Sequence, residues 1–327
     1  MVPDKAGVLK PAKDIKEILE IVPTLKEFAK LTLNQIENRD STNINPNHWS
    51  RLALEISKIH NEVDGIIITH GTDTMAYTAS AISLALSRGL KIPIVFTGSQ
   101  LPLMAFGTDA RFNLENSMKV IVEAIKADIN EVMIVFSDKV FRANRAIKIS
   151  ESRFPAYDSP AIIPLAEITA IGVEFSSHVL KRDKNISFEL RNNFSRGILA
   201  IDLVPGLNPE ILMAVLESGK CHGLLLKSLG AGNVPFEDEY SLIPLIKNAI
   251  TKYKIPVLVS TKFIGGRTNL NIYEPGKLAL DAGAIPTGDM TDVMSQVKFM
   301  WALGQGYNDL KELQKVISTD FVGEITV

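Results

Sequence analysis

The sequence predicts an α/β protein, with a doubly wound, mostly parallel sheet in a large N-terminal domain and a smaller α/β domain after it. Three observations carry this. Short apolar, β-branched runs alternate along the chain with stretches of helical spacing. Those runs are apolar at consecutive positions rather than alternate ones, which suits strands covered on both faces. The length, 327 residues, is too great for one ordinary core and comfortable for two.

The elements follow in chain order. A helix is predicted from Trp49 to His60, where Trp49, Leu52, Ala53, Ile56 and Ile59 share a face and Asn47 can cap the start. Gly65-Ile66-Ile67-Ile68-Thr69, Ile92-Pro93-Ile94-Val95-Phe96-Thr97 and Val132-Met133-Ile134-Val135-Phe136 read as buried strands, with helices at Thr74 to Arg88 and Asn113 to Lys126 between them. Around 174–195 alternation and polarity replace continuous apolarity, in Phe175-Ser176-Ser177-His178 and Lys181-Arg182-Asp183-Lys184-Asn185. An edge hairpin and then a linker are expected there. Strands at Gly197–Ile201, Gly223–Lys227 and Pro256–Ser260 then alternate with helices at Pro209–Glu217 and Ser241–Tyr253. The expected domains are 1–178 and 197–327, joined by a linker over 179–196. No internal repeat or low-complexity tract interrupts them.

Composition narrows the function. Apolar residues make up 46% and charged residues 22%, with a net charge of −2, so a nucleic-acid partner has no electrostatic footprint. No apolar run approaches the roughly 18 residues of a membrane span. The first residues lack a signal-peptide pattern, and the single cysteine, Cys221, cannot form an intrachain disulfide and reads as a small buried hydrophobe. A cytoplasmic protein is expected. His48, His60, His178 and His222 have no ligand-like spacing, so no metal is expected.

The segment Thr69-His70-Gly71-Thr72-Asp73-Thr74 bears the chemistry. It lies after a buried strand and precedes a helix, and ligands of open α/β sheets bind at the carboxyl ends of strands. Gly71 permits a tight turn. Thr72 and Asp73 fall where free helix N–H groups favour a carboxylate ligand. Taken singly, Asp73 or Thr74 also reads as an ordinary helix cap, and Asp40-Ser41-Thr42 as a turn or cap. Lys148, in Asn144-Arg145-Ala146-Ile147-Lys148, reads alone as a solvated charge; desolvated in a cleft it could serve a Thr hydroxyl as a base. His70, before Gly71 at a strand end, reads as a structural histidine.

Taken together these segments resemble the bacterial-type L-asparaginases, most closely the cytosolic type I group. The resemblance rests on Asp40-Ser41-Thr42 with Trp49 after it, on Thr69 to Ser80, on Phe96-Thr97-Gly98-Ser99-Gln100-Leu101-Pro102 with Asp109 and Asn113-Leu114, and on Arg142, Asn144, Arg145 and Lys148. Farther on it includes Pro205-Gly206, Gly230-Ala231-Gly232-Asn233-Val234-Pro235 and Gly288-Asp289-Met290-Thr291. It implies a Thr72-Asp73-Lys148 triad hydrolysing L-asparagine, with L-glutamine the second candidate amide, to the acid and ammonia. Thr72 would hold the substrate or its water, Lys148 the proton, Asp73 the α-amino group and Ser41 the α-carboxylate. Thr42 and Gly71 would complete the pocket, and N–H groups near Thr72 would help stabilise the oxyanion. Asn233 would reach a neighbouring subunit's site, in a homodimer or homotetramer. No cofactor is implied.

The pattern departs from the family at one point. Members begin with a strand ending in Thr-Gly-Gly-Thr-Ile-Gly, whose first Thr is the nucleophile, and no such segment occurs in these 327 residues. Nor is the assisting tyrosine of many members evident; Val8 or Leu9 stands nearby. The opening Met1-Val2-Pro3-Asp4-Lys5 resembles the family's residues directly after the motif, which suggests a start assigned too late. A strand missing near the centre of the first sheet would leave two neighbours without partners. The alternatives are a catalytically weak paralogue that binds asparagine or aspartate, and the Gln-tRNA amidotransferase subunit of the same fold. The latter carries an extra N-terminal domain for which this chain has no room, and usually lacks Asp40-Ser41-Thr42 in this form.

Overall fold

A computed structural model describes residues 2–3, 9–10, 22–181 and 185–326. The opening segment compared with the family's start, including Val8, falls mostly outside these residues, as do Arg182 to Lys184 of the expected linker. The chain divides into two compact units, Met1–Asn192 and Asn193–Val327, and the division falls inside the segment expected to link them.

In the first unit β1 (Val2–Pro3) pairs antiparallel with β2 (Leu9–Lys10). A short helix α1 (Leu25–Phe28) precedes α2 (Pro46–Ile59). The helix expected from Trp49 starts a turn earlier: Pro46 takes the first position, and the cap is Asn45 rather than Asn47, reciprocated by His48. A small hairpin of β7 (Ile147–Lys148) and β8 (Tyr157–Asp158) stands apart from the main sheet. Among the described residues that sheet has six strands: β3 (Ile66–Thr69), β4 (Ile94–Thr97), β5 (Val132–Phe136), β6 (Lys139–Arg142), β9 (Ala166–Ile168) and β10 (Val173–Phe175). Helices α3 (Met75–Leu86) and α4 (Ala110–Lys126) make the crossovers that keep β3, β4 and β5 parallel. Val95, Val120, Ile121, Met133 and Val135 form one face of the core.

Within this sheet β3, β4 and β5 run parallel, as the sequence predicts, and β6, β9 and β10 add antiparallel pairs. From β5 to β6 only Ser137 and Asp138 connect the strands, and two residues can join only antiparallel neighbours. Ser137 takes the left-handed conformation (φ 56°) this turn needs. The edge hairpin is β9–β10, earlier than expected from the polarity beyond residue 174. At the other edge, β3 pairs among the described residues with β4 alone. Its three isoleucines are half-buried, whereas β4 is buried throughout. Residues 30–40 have no regular structure and are mostly exposed.

The second unit is a four-stranded parallel sheet in sequential order: β11 (Ile198–Asp202), β12 (Gly223–Ser228), β13 (Val257–Thr261) and β14 (Ile285–Pro286). The connecting helices are α5 (Pro209–Glu217), α6 (Ile243–Thr251) and α7 (Glu274–Asp281). Two more, α8 (Asp292–Gly304) and α9 (Leu310–Ser318), complete it. The elements α7, β14, α8 and α9 lie beyond the last one the sequence predicts, the strand at Pro256–Ser260. Cys221 is buried in the apolar cluster, as expected.

The tail after α9 is held by a buried ion pair. Lys298 Nζ lies 2.7 Å from Glu324 Oε1, both side chains fully buried, and donates to the carbonyls of Ile317 and Thr319. Glu324 accepts in turn from the amides of Phe321 and Val322. Removing one partner of such a pair strands the other charge. Glu324→Ala is expected to destabilise the second unit by about 3–5 kcal/mol, read from the denaturant midpoint, whereas replacing both residues by apolar ones of similar volume recovers most of the loss.

Candidate active site

The loop after β3 is built by close backbone contacts. A Cβ at Gly71 would lie 2.7 Å from the Cβ and Oγ of Ser41, and one at Gly98 would lie 2.4 Å from the carbonyl oxygen of His70. Glycine at these two places lets the Ser41 segment and the end of β4 close on the loop. Ser41 is buried and opens a short 3-10 turn, Ser41–Asn43. Its carbonyl accepts from the Thr74 hydroxyl at 2.7 Å. The turn is capped by Asp40, whose carboxylate takes the Thr42 amide (2.9 Å) and hydroxyl (2.8 Å). Those bonds hold Asp40 below its usual carboxylate pKa. Thr42, expected as a substrate contact, thus spends its hydroxyl on Asp40.

The triad residues meet. Lys148 Nζ donates to Thr72 Oγ1 at 2.8 Å and to Asp73 Oδ1 at 2.6 Å. Lys148 ends β7, which pairs antiparallel with β8. It reaches the loop because Ala143–Arg145, a buried 3-10 turn, packs beside α3. The Lys148 side chain is only 16% exposed and that of Asp73 is 59% exposed, so the amine is shielded while the carboxylate faces solvent. A pair this open adds little to stability. Its effect is geometric: a hydroxyl, an amine and a carboxylate share one small space at the carboxyl end of a parallel strand.

Other side chains support the loop. Asp109 accepts from the amides of Gln100 (2.9 Å) and Leu101 (3.0 Å), and Asn113 Nδ2 donates to the Gly98 carbonyl at 2.9 Å. The Gln100 side chain lies 3.5 Å from the Thr72 hydroxyl and donates to the Arg153 carbonyl at 3.0 Å. Tyr157 donates its hydroxyl to the Thr72 carbonyl. In the sequence Gln100, Asp109 and Asn113 stand only as parts of a matching pattern, and Tyr157 looks like any strand aromatic. His70 contacts the Gly71 carbonyl through Nδ1 at 2.7 Å, and burial holds its ring below the usual histidine pKa, so it is neutral at neutral pH. Asn233 lies in the second unit, in the turn whose amide returns to the Leu229 carbonyl at 2.8 Å. Among the described residues no group of three His, Cys, Asp or Glu could hold a metal, and no helix is long and apolar enough to cross a membrane.

Fold and site define a two-domain α/β protein with a Thr-Lys-Asp constellation at a strand end, and comparison with known proteins gives the class its name. Residues 1–181 match the family described as asparaginase, N-terminal, and residues 198–317 the glutaminase/asparaginase C-terminal domain. The L-asparaginase of Thermococcus kodakarensis is 34% identical over 320 residues, 97% of this chain and 93% of that protein. Its solved structure superposes with a TM-score of 0.89 at 32% identity, covering 100% of this chain and 95% of that one. L-asparaginase I of Vibrio cholerae gives a TM-score of 0.84 at 28% identity, covering 99% and 96%. A glutamyl-tRNA(Gln) amidotransferase subunit of Pyrococcus abyssi is 32% identical over 331 residues, 98% of this chain and 73% of that protein. The chain belongs to the asparaginase family.

The Gly98 contact yields a direct test. Gly98→Ala must push the His70 carbonyl, a backbone atom, out of place. It is expected to lower stability by about 1–3 kcal/mol in thermal or urea unfolding, as overpacking of a tight contact does.

Proposed function

We propose that this site hydrolyses the side-chain amide of L-asparagine to aspartate and ammonia, with no metal or organic cofactor. The observation that carries it is Lys148 Nζ standing 2.8 Å from the Thr72 hydroxyl and 2.6 Å from the Asp73 carboxylate. In this reading Thr72 positions the attacking water or the substrate amide, and Lys148 holds and returns the proton. Asp73, exposed and anionic, takes the α-amino group. Ser41, pressed against Gly71, takes the α-carboxylate, and main-chain N–H groups near Thr72 face the developing oxyanion. Asn233 is assigned to the site of a neighbouring copy, in a homodimer or homotetramer. A type I, cytoplasmic member of the family is the fitting assignment, consistent with the single cysteine.

The first attacking oxygen, a threonine hydroxyl, is assigned to a further strand beside β3: it displaces ammonia from the amide to form an ester, which the water held at Thr72 then cleaves to aspartate. The edge of Ile66-Ile67-Ile68 supports this: among the described residues it pairs with β4 alone, and a parallel strand of three β-branched apolar residues is the kind found inside a sheet. The amidotransferase subunit is the second reading, favoured by relatives such as the P. abyssi protein.

Ammonia release decides among these. A chain carrying an upstream strand with the Thr-Gly-Gly-Thr segment is expected to release ammonia from free L-asparagine, and the 327-residue chain to do so weakly. Lys148→Met in the active form is expected to lower kcat by about 10³-fold or more, the scale seen when a member of a catalytic unit is lost. Ammonia release from the longer form only when charged tRNA and a partner subunit are added would favour the second reading. Stabilisation by aspartate without ammonia release from either form would leave a binding protein and sink the hydrolase.

A further inference from the structure

We propose that Tyr157 is a positioning residue, and that the β7–β8 hairpin grips Thr72 at two points, the hydroxyl through Lys148 and the main-chain carbonyl through Tyr157. The inference rests on the hydrolase reading of the site.

The geometry is specific. Lys148 and Tyr157 face each other as register partners across the two short strands. One donates to the Thr72 side chain and the other to the Thr72 backbone. Tyr157 is buried, and its ring lies 5.0 Å from that of Phe136, at the end of β5. The aromatic contact anchors the hairpin to the sheet, and the hydroxyl anchors the loop to the hairpin. Two contacts from one rigid unit fix both the place and the rotation of Thr72; one contact fixes only a distance. Proton exchange between a hydroxyl and an amine needs both, and errors near 1 Å in such placement cost up to about a hundredfold in rate.

Tyr157 suits this duty chemically. Burial and the nearby Asp73 carboxylate push its ionisation far above neutral pH, so it stays a hydrogen-bond donor across the working range. The Thr72 carbonyl sits where the turn precedes α3, and the tyrosine supplies it with a donor. Nothing else in the chemistry assigned to the site uses this hydroxyl.

The test is Tyr157→Phe, which removes one oxygen and keeps the ring against Phe136. Two readouts are taken. In the active form, kcat for asparagine is expected to fall about tenfold or more while KM and aspartate affinity stay within about twofold, the signature of a group that acts on the transition state and not on ground-state binding. In the 327-residue chain, limited amine acetylation followed by mass spectrometry is expected to show Lys148 labelled several-fold faster, with exposed Lys58 unchanged as the internal reference. Unchanged kcat and unchanged Lys148 labelling would overturn the proposal. So would a loss in which kcat, KM, melting temperature and labelling of every lysine move together, since that is general loosening. If the parent releases no ammonia, the hydrolase reading fails, and the Lys148 labelling alone still decides whether the clamp exists.

Discussion

Lys148 meets Thr72 because the chain reverses at Ser137 and Asp138. β6 leaves the Phe136 end of β5 and returns along it to Met133, so the chain turns toward α3 from the far end of β5. The two-residue turn sends β6 back antiparallel, and Ala143–Arg145 then slips beside α3, bringing Lys148 to the loop that opens that helix. The turn is held from outside as well. Asn113 on α4 accepts from the Ser137 amide through Oδ1, and its Nδ2 group bonds the Gly98 carbonyl and Asp109. One asparagine thus ties the reversal to the loop after β4, and the site inherits its geometry from the two.

Charge is divided between structure and chemistry. Arg142 closes the base of the β5–β6 hairpin through Glu131, Nε to Oε2 at 2.6 Å with both groups buried, and also reaches the His178 carbonyl at 2.8 Å. In the second unit Lys298 and Glu324 do the same for the tail. These pairs are dry, fully bonded and costly to break. The Lys148–Asp73 pair differs in one respect: its carboxylate faces water. In the proposed reading, an incoming ammonium group can therefore compete with Lys148 for Asp73 without opening the core.

What could be read from sequence was what repeats or packs. The buried strands Ile66–Thr69, Ile94–Thr97 and Val132–Phe136 announced themselves by consecutive apolar residues, and the helix Pro209–Glu217 by its proline and preceding asparagine. The loop Thr69 to Thr74 was legible because a strand, a glycine and a helix start coincide there. The reversal at Ser137 was missed because Ser-Asp carries none of the glycine or asparagine that marks such turns. The extra turn at the start of α2 was missed because Asn45 and Asn47 are equally good caps on composition, and only Pro46 between them settles which one acts. Tyr157 was invisible for a deeper reason. Its importance lies in a bond to a main-chain carbonyl 85 residues away, and no local pattern encodes a contact with a backbone atom.

The outer edge of β3 bears on how the protein behaves as a material. Among the described residues β3 pairs with β4 alone, and a strand edge left without its neighbour is a template for any extended peptide of suitable polarity, from its own chain or from another. A nascent chain displaying that edge before its proper neighbour arrives is open to swapped or fibrous assembly at high concentration. In the reading that places a further strand beside β3, completing the ladder at this one seam therefore guards against association as well as building the site.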